Sequence, residues 1–147
     1  MAQTTTTYSA SAVNINWLGH SFTGLGSGDD AIQVERTNPS MTLTIGVQGD
    51  GTISQSTDKS ATITIRLLSG SATNDFLTAK ANASDAGVIA SGPMLIEEFG
   101  SSSKVTAGRC VIEKIPAFTR GAMANEVEWT FLTTDCAISH GSSDGIA

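Results

Sequence analysis

Two segments alternate hydroxyl and aliphatic side chains almost without a break, Met41-Thr42-Leu43-Thr44-Ile45-Gly46-Val47 and Ala61-Thr62-Ile63-Thr64-Ile65-Arg66-Leu67. A period of two does not fit one face of a helix. It sets Met41, Leu43, Ile45 and Val47 on one side of a strand and Thr42 and Thr44 on the other, and the second run repeats the arrangement. The expected product is an antiparallel hairpin over residues 41–68, with its apolar side packed on a core and its other side covered in neutral hydroxyls. Its connector, residues 48–59, is too long for a two-residue turn and is expected to project as an arm. A smooth, weakly charged wall of this kind suits a scaffold or a channel lining better than a catalytic pocket.

The remaining elements follow from the same periodicity. Val13, Ile15 and Trp17 mark a first strand over residues 8–18, and Ile32 to Arg36 restore the alternation after a glycine-rich loop. Pro39 breaks it again, because proline donates no ladder hydrogen bond. Further strands are expected over residues 94–99, over residues 104–115 up to Pro116, and over a last stretch carrying Val127, Trp129 and Phe131. One helix is expected over residues 71–83, with Ser71 as its cap, Asp75 at the positive end of its dipole, and Phe76, Leu77, Ala79, Ala81 and Ala83 as its apolar stripe. Gly87 ends any continuation. The fold class is therefore mainly β, a β-sandwich or barrel with one flanking α-helix. Residues 1–7 read as a flexible lead-in, 8–135 as a single β domain, and 136–147 as a flexible tail.

Charge narrows the function. Charged residues make up 15% of the chain, against about 25% in an ordinary domain. The formal net charge is −6, and the eight Lys and Arg residues are scattered. Binding of nucleic acid by phosphate neutralisation is thereby disfavoured. An acidic chain is still suited to surround DNA without gripping it, since like charge repels the phosphates. The first residues carry neither the basic patch nor the apolar stretch of a secretion signal, and no apolar run is long enough to span a bilayer. Assembly in a cytoplasm is expected, with no membrane partner and with Cys110 and Cys136 as free thiols.

Each motif that suggests chemistry meets a simpler reading. Gly141-Ser142-Ser143-Asp144-Gly145 matches a nucleophile elbow, but no histidine follows it and no strand-to-helix turn is expected there. Cys136 and His140 offer half a zinc site, which His20 and Cys110 would have to complete from unrelated strands. Asp29, Asp30 and Asp50 lie in glycine-containing loops without the alternating ligands of a calcium loop. Gly24, Gly26 and Gly28 form no phosphate-cradle series. Glu126 and Glu128 share a strand face, where a solvated or inter-subunit surface is the simpler reading than a glycosidase pair. Trp17 and Trp129 are expected in the core. No catalytic residue, cofactor or metal site is expected.

The order of several pieces carries a resemblance. These are Tyr8-Ser9 with Val13-Asn14-Ile15, Gly28-Asp29-Asp30-Ala31-Ile32, Asn38-Pro39-Ser40, and Gly46 through Gly49-Asp50-Gly51. Ser71 with Asn74-Asp75 and Leu77, Pro93-Met94, Ile112-Glu113-Lys114-Ile115-Pro116 and Glu126-Val127-Glu128-Trp129-Thr130 follow. In this order and spacing, residues 8–135 resemble the tail-tube proteins of contractile-tailed bacteriophages. The resemblance implies a structural, non-enzymatic subunit of a virion tail, assembled in the host bacterial cytoplasm as stacked six-membered rings. It implies a conduit through which DNA passes without specific binding, and as partners the chain itself, the tail sheath, the baseplate and a tail terminator. Thr42, Thr44, Thr62 and Thr64 are then candidates for the lumen or a subunit interface, and Asp50, Ile53, Gln55, Asp58 and Lys59 for an inter-ring arm. Bacteriocin tubes and type VI secretion inner tubes share the architecture and are the nearest alternative. A monomeric β-sandwich binding module is the other, and it would be expected to show an aromatic platform that one tyrosine cannot supply.

Overall fold

A computed structural model describes residues 13–26, 31–98, 102–123 and 125–141. Among these residues ten strands and one helix occur in the order β1 (Val13–Trp17), β2 (His20–Ser21), β3 (Ile32–Arg36), β4 (Met41–Ile45), β5 (Gly51–Gln55), β6 (Ala61–Leu68), α1 (Thr73–Asp85), β7 (Gly92–Glu98), β8 (Lys104–Ile112), β9 (Glu126–Thr133) and β10 (Cys136–Ser139). Eight strands form one sheet in the order β2-β1-β7-β8-β9-β6-β3, with β10 attached to β8, while β4 and β5 pair only with each other. The large sheet is open, with β2 and β3 at its ends, so the expected mainly β fold with one helix is formed without closure into a barrel.

The two halves of this sheet face each other across one core. Ile15 and Trp17 of β1, Met94 and Ile96 of β7, Ile63, Ile65 and Leu67 of β6, and Trp129 and Phe131 of β9 bury their side chains in a single cluster. Trp17 meets Phe131 edge-on at 5.2 Å between ring centroids, although β7 and β8 separate their strands along the sheet. Both tryptophans are thus core residues, as their alternation suggests.

Helix α1 closes one side of the core with Thr73, Leu77 and Ala81, four residues apart and all buried. Its start is tied to the strands by hydroxyls. The Ser71 hydroxyl accepts the Thr73 amide at 3.2 Å and donates to the Thr23 carbonyl at 2.6 Å, and the Thr73 hydroxyl accepts the Thr23 amide at 3.0 Å. At the far end Gly87 takes φ +103, Val88 N–H reaches the Ala83 carbonyl and Gly87 N–H the Ser84 carbonyl. These paired bonds satisfy carbonyls that the helix end leaves open, and they need a residue without Cβ. The helix runs two residues beyond the expected end, because Ser84 and Asp85 still propagate it before that glycine.

Two expectations are corrected. Ala61 to Leu68 does form a hairpin with an earlier strand, but its partner is β3, with Val34 opposite Ile63, and not the Met41 run. Met41–Ile45 pairs instead with Gly51–Gln55, Leu43 opposite Ile53, inside what the sequence suggested was a connector. The reason is proximity: a five-residue turn joins β4 to β5, and short closures cost less entropy than a return across residues 48–59. The second correction lies at the other end of the chain, where Cys136–Ser139 is a strand paired to Lys104–Ala107 and not the start of a loose tail. The lead-in 1–7, Asp29, Asp30 and Ser142 to Gly145 lie outside the described residues.

Candidate assembly surface

The β4–β5 ribbon interrupts the β3–β6 hairpin and extends it past the large sheet. Arg36 and Ala61 are the last pair of the parent hairpin, after which the chain goes out along β4 and returns along β5. The turn at the far end is held by Gly46 N–H to the Asp50 carbonyl at 2.7 Å and Gly49 N–H to the Gly46 carbonyl at 3.0 Å. Gly49 takes φ +91 there.

Cross-strand partners share a face, so the ribbon has two unlike sides. Met41, Leu43, Ile45 and Ile53 form an apolar ridge, and Thr42, Thr44, Thr52 and Ser54 a hydroxyl row. All of them are exposed: Leu43 keeps 62% of its surface and Ile53 71%, with Val47 fully open at the tip. The expectation that the apolar side of the Met41 run packs on this chain's own core is thus overturned. The identical pattern in β6 does pack, with Ile63, Ile65 and Leu67 wholly buried.

The base of the arm is polar. Asn38 Nδ2 donates to Asp58 Oδ2 at 2.7 Å, and the Ser60 amide donates to Asp58 Oδ1 at 2.9 Å. These bonds, that of Asn38 first, hold the Asp58 carboxyl at about 2, below its ordinary 3.8. Lys59 bridges to Asp135 beside β10 through the backbone, so it belongs to the sheet's margin. Asp50 sits in the turn, Ile53 on the ridge, and Gln55 opposite Met41 at the root.

Thr62 and Thr64 stand elsewhere, on the outward side of β6. In register with them, Glu35, Thr62, Leu132 and Val111 form one row, and Gln33, Thr64 and Thr130 another, across β3, β6, β9 and β8. The four threonines therefore lie on two sheets and not on one hairpin face. Gln33, Thr130 and Leu132 escaped the sequence reading, although the period of β3 and β9 marks them as outward once the core residues between them are known. The charges of this wall include Glu35 and the pair Arg66 Nη2 to Glu128 Oε2 at 2.8 Å, which occupies Glu128 in a cross-strand bond. Both side chains reach solvent, so the pair adds little stability.

At the Leu68 end of β6 there is an open cleft of about 540 Å³ between α1 and residues 115–120. Its lining includes Val127 and the edge of the nearly buried Trp129, Ala72, Asp75 and Thr78 at the helix, and Ile115, Phe118 and Arg120 opposite. The Trp129 indole N–H donates to Asn74 Oδ1 at 3.0 Å, and the Arg120 guanidinium lies 4.3 Å over the Phe118 ring. Cys110 and Cys136 are buried free thiols in the interior. Burial pushes Cys110 up to about 11 and raises Cys136 as well. Among the described residues no three His, Cys, Asp or Glu side chains gather to hold a metal, and no helix is long and apolar enough to cross a membrane.

The fold is mainly β, with an exposed two-stranded arm beside the large sheet. The family model described as the bacteriophage PhiTE tail tube protein matches residues 4–141, and the chain belongs to that family, a component of the phage tail. No curated protein matches the chain. Among solved structures it is similar to the anti-feeding prophage cap, a tube-terminating cap, with a TM-score of 0.61, 10% identity and 95% of each chain covered. At that identity the likeness shows the fold alone.

Proposed function

We propose that the chain is a non-enzymatic subunit of a phage tail tube, polymerising with its own copies as stacked rings of six around a conduit for DNA inside a contractile sheath. The observation that carries this reading is the arm of a tail-tube family member that leaves its whole apolar ridge uncovered. An isolated two-stranded ribbon is at best marginally stable in water, so such a ridge calls for a partner. Asp50, Ile53 and Gln55 act in that contact, and Asp58 and Lys59 anchor its root. The outward face of β3, β6, β9 and β8, with Thr62, Thr64 and Thr130 at its middle, lines the channel. Neutral hydroxyls and a compensated Arg66–Glu128 pair offer phosphates no sustained grip. Thr42 and Thr44 extend the hydroxyl surface onto the subunit interface. Sheath, baseplate and terminator proteins are its partners in the virion, and assembly takes place in the host cytoplasm.

Electron microscopy and sedimentation of the purified chain test the proposal. Rings or tubes with a central hole are expected as concentration rises. A monomer that persists at high concentration, even with tail partners present, overturns it.

A further inference from the structure

Both strands of the arm are fastened to one residue of the C-terminal strand. Arg36 ends β3 where the chain leaves the sheet, and its Nη2 donates to the Cys136 carbonyl at 2.7 Å. The Cys136 amide donates in turn to the Lys59 carbonyl at 3.0 Å, just before the chain re-enters the sheet at Ala61. The amide and the carbonyl of Cys136 are thus taken up by the returning and the outgoing strand. In an antiparallel ladder the N–H and C=O of a residue point to the same side, so Cys136 turns its polar groups to the arm, while Asp135 and Ala137 turn theirs to β8. The bond from Gly108 N–H to the Asp135 carbonyl at 2.9 Å and the pairing of Ala137 with Thr106 agree with this. The Cys136 side chain is wholly buried, which holds the same residue from the inside.

Further out, the arm's backbone bonds join its own two strands: Thr37 N–H to the Ser60 carbonyl at 3.0 Å, Ser56 N–H to the Ser40 carbonyl at 2.8 Å, and Gly46 N–H to the Asp50 carbonyl at 2.7 Å. They hold the ribbon together without fixing its direction against the large sheet. That direction falls to the contacts at Cys136. The Arg36 contact is kept at a cost, since its Nε is buried with no hydrogen-bond partner among the described residues, and an unpaired buried donor opposes folding. A guanidinium drawn inside on such terms contributes geometry more than stability.

We propose that Arg36 and Cys136 form a latch that ties the arm's direction to the C-terminal strand, so that the arm takes one fixed stance only when β10 is docked on β8. When β10 leaves β8, Cys136 moves with it, both ties open, and the ribbon swings about its root. The strand that controls the latch is only four residues long, so it is among the least firmly held of the sheet. The latch acts within a single chain and stands apart from the tube-subunit reading. Where that reading holds, the latch withholds a correctly aimed arm from any subunit whose C-terminal strand is out of place.

The test uses the full chain, dilute and unassembled, with spin labels on Thr52→Cys in the arm and Thr78→Cys on α1, both exposed. Cys110 and Cys136 are buried and stay unlabelled. Double electron–electron resonance reads the distance between the labels, and one narrow distribution is expected in the otherwise native chain. Arg36→Met keeps the apolar stem and removes the donor; the narrow distribution is expected to be lost while the thermal midpoint does not fall. Ala137→Pro removes the backbone N–H aimed at β8 and leaves every arm residue in place. It is expected to lose the narrow distribution too, with faster amide exchange at residues 104–107 reporting that β10 has left. A broad distribution in the native chain, or a narrow one in Arg36→Met, overturns the latch. A narrow one in Ala137→Pro with residues 104–107 in fast exchange overturns the link to β10. If Ala137→Pro does not fold, Ile138→Ser weakens the same strand through its half-buried side chain and is read in the same way.

Discussion

Replacing Leu43 and Ile53 together by serine should cripple association and leave the folded domain intact. The two residues face each other across the ribbon, and about two thirds of each side chain remains open in the single chain. Full burial of an aliphatic side chain contributes about 1.5–3 kcal/mol, so covering the remaining surface contributes about 1–2 kcal/mol per residue. The pair then accounts for about 2–4 kcal/mol of each subunit contact. At about 1.4 kcal/mol per tenfold, its loss lowers the association constant roughly 30- to 700-fold. The large sheet feels almost none of this, because neither side chain belongs to the core cluster. Exposed substitutions of this kind move a domain by under about 0.5 kcal/mol, or about 2 °C in melting temperature at this size. Light scattering against concentration gives the first quantity, and a thermal melt of the unassembled chain gives the second. An unchanged critical concentration would refute the reasoning, and so would a loss of assembly accompanied by a fall of more than about 5 °C.

Three further outcomes are expected. Leu77→Ala empties the buried centre of the helix contact and should cost about 2–5 kcal/mol, lowering the thermal midpoint by roughly 5–15 °C; a shift under about 2 °C would mean that α1 does not close the core. Asp58 is depressed, so its contribution to the arm's base is fully present above 3.8 and is lost as pH falls through about 2. Carboxyl chemical shifts should titrate near 2 and return toward 3.8 in Asn38→Ala, whereas an ordinary midpoint in the unaltered chain would deny the bond. The native chain should leave Cys110 and Cys136 unreacted with a disulfide reagent at pH 8 over minutes and release both thiols in denaturant. Prompt reaction of the folded chain would contradict their burial.

What the sequence made legible follows from what a period of two can say. It assigns side chains to faces, and it did so correctly for β6, where Ile63, Ile65 and Leu67 are inside. It does not say what covers a face. The Met41 run has the same pattern and the opposite environment, because it lies on a ribbon outside this chain's core. Pairing was misjudged for a related reason: Gly51–Gln55 holds one aliphatic residue, Ile53, and gives almost no strand signal beside the strong run at 61–67. β10 was missed because Cys-Ala-Ile-Ser is too short to show a period, and its partner, β8, is far away in sequence. The helix was readable to within two residues, since its alanines and Gly87 act locally. The cleft was not readable at all. It is made of a helix start, a loop and two strand positions that only the tertiary fold brings together.

Strand β8 is completed by three different strands. One edge is taken by β7, but the other is divided, with Cys110–Ile112 bonded to β9 and Lys104–Ala107 to β10. Without β10, residues 104–107 would present an unpaired edge beside the stretch that β9 covers. A growing chain with an open edge is most prone to pair with a neighbouring nascent copy. The brief closing strand thus acts as a seal on that edge, and a chain lacking it would expose four residues of backbone to pairing with another copy.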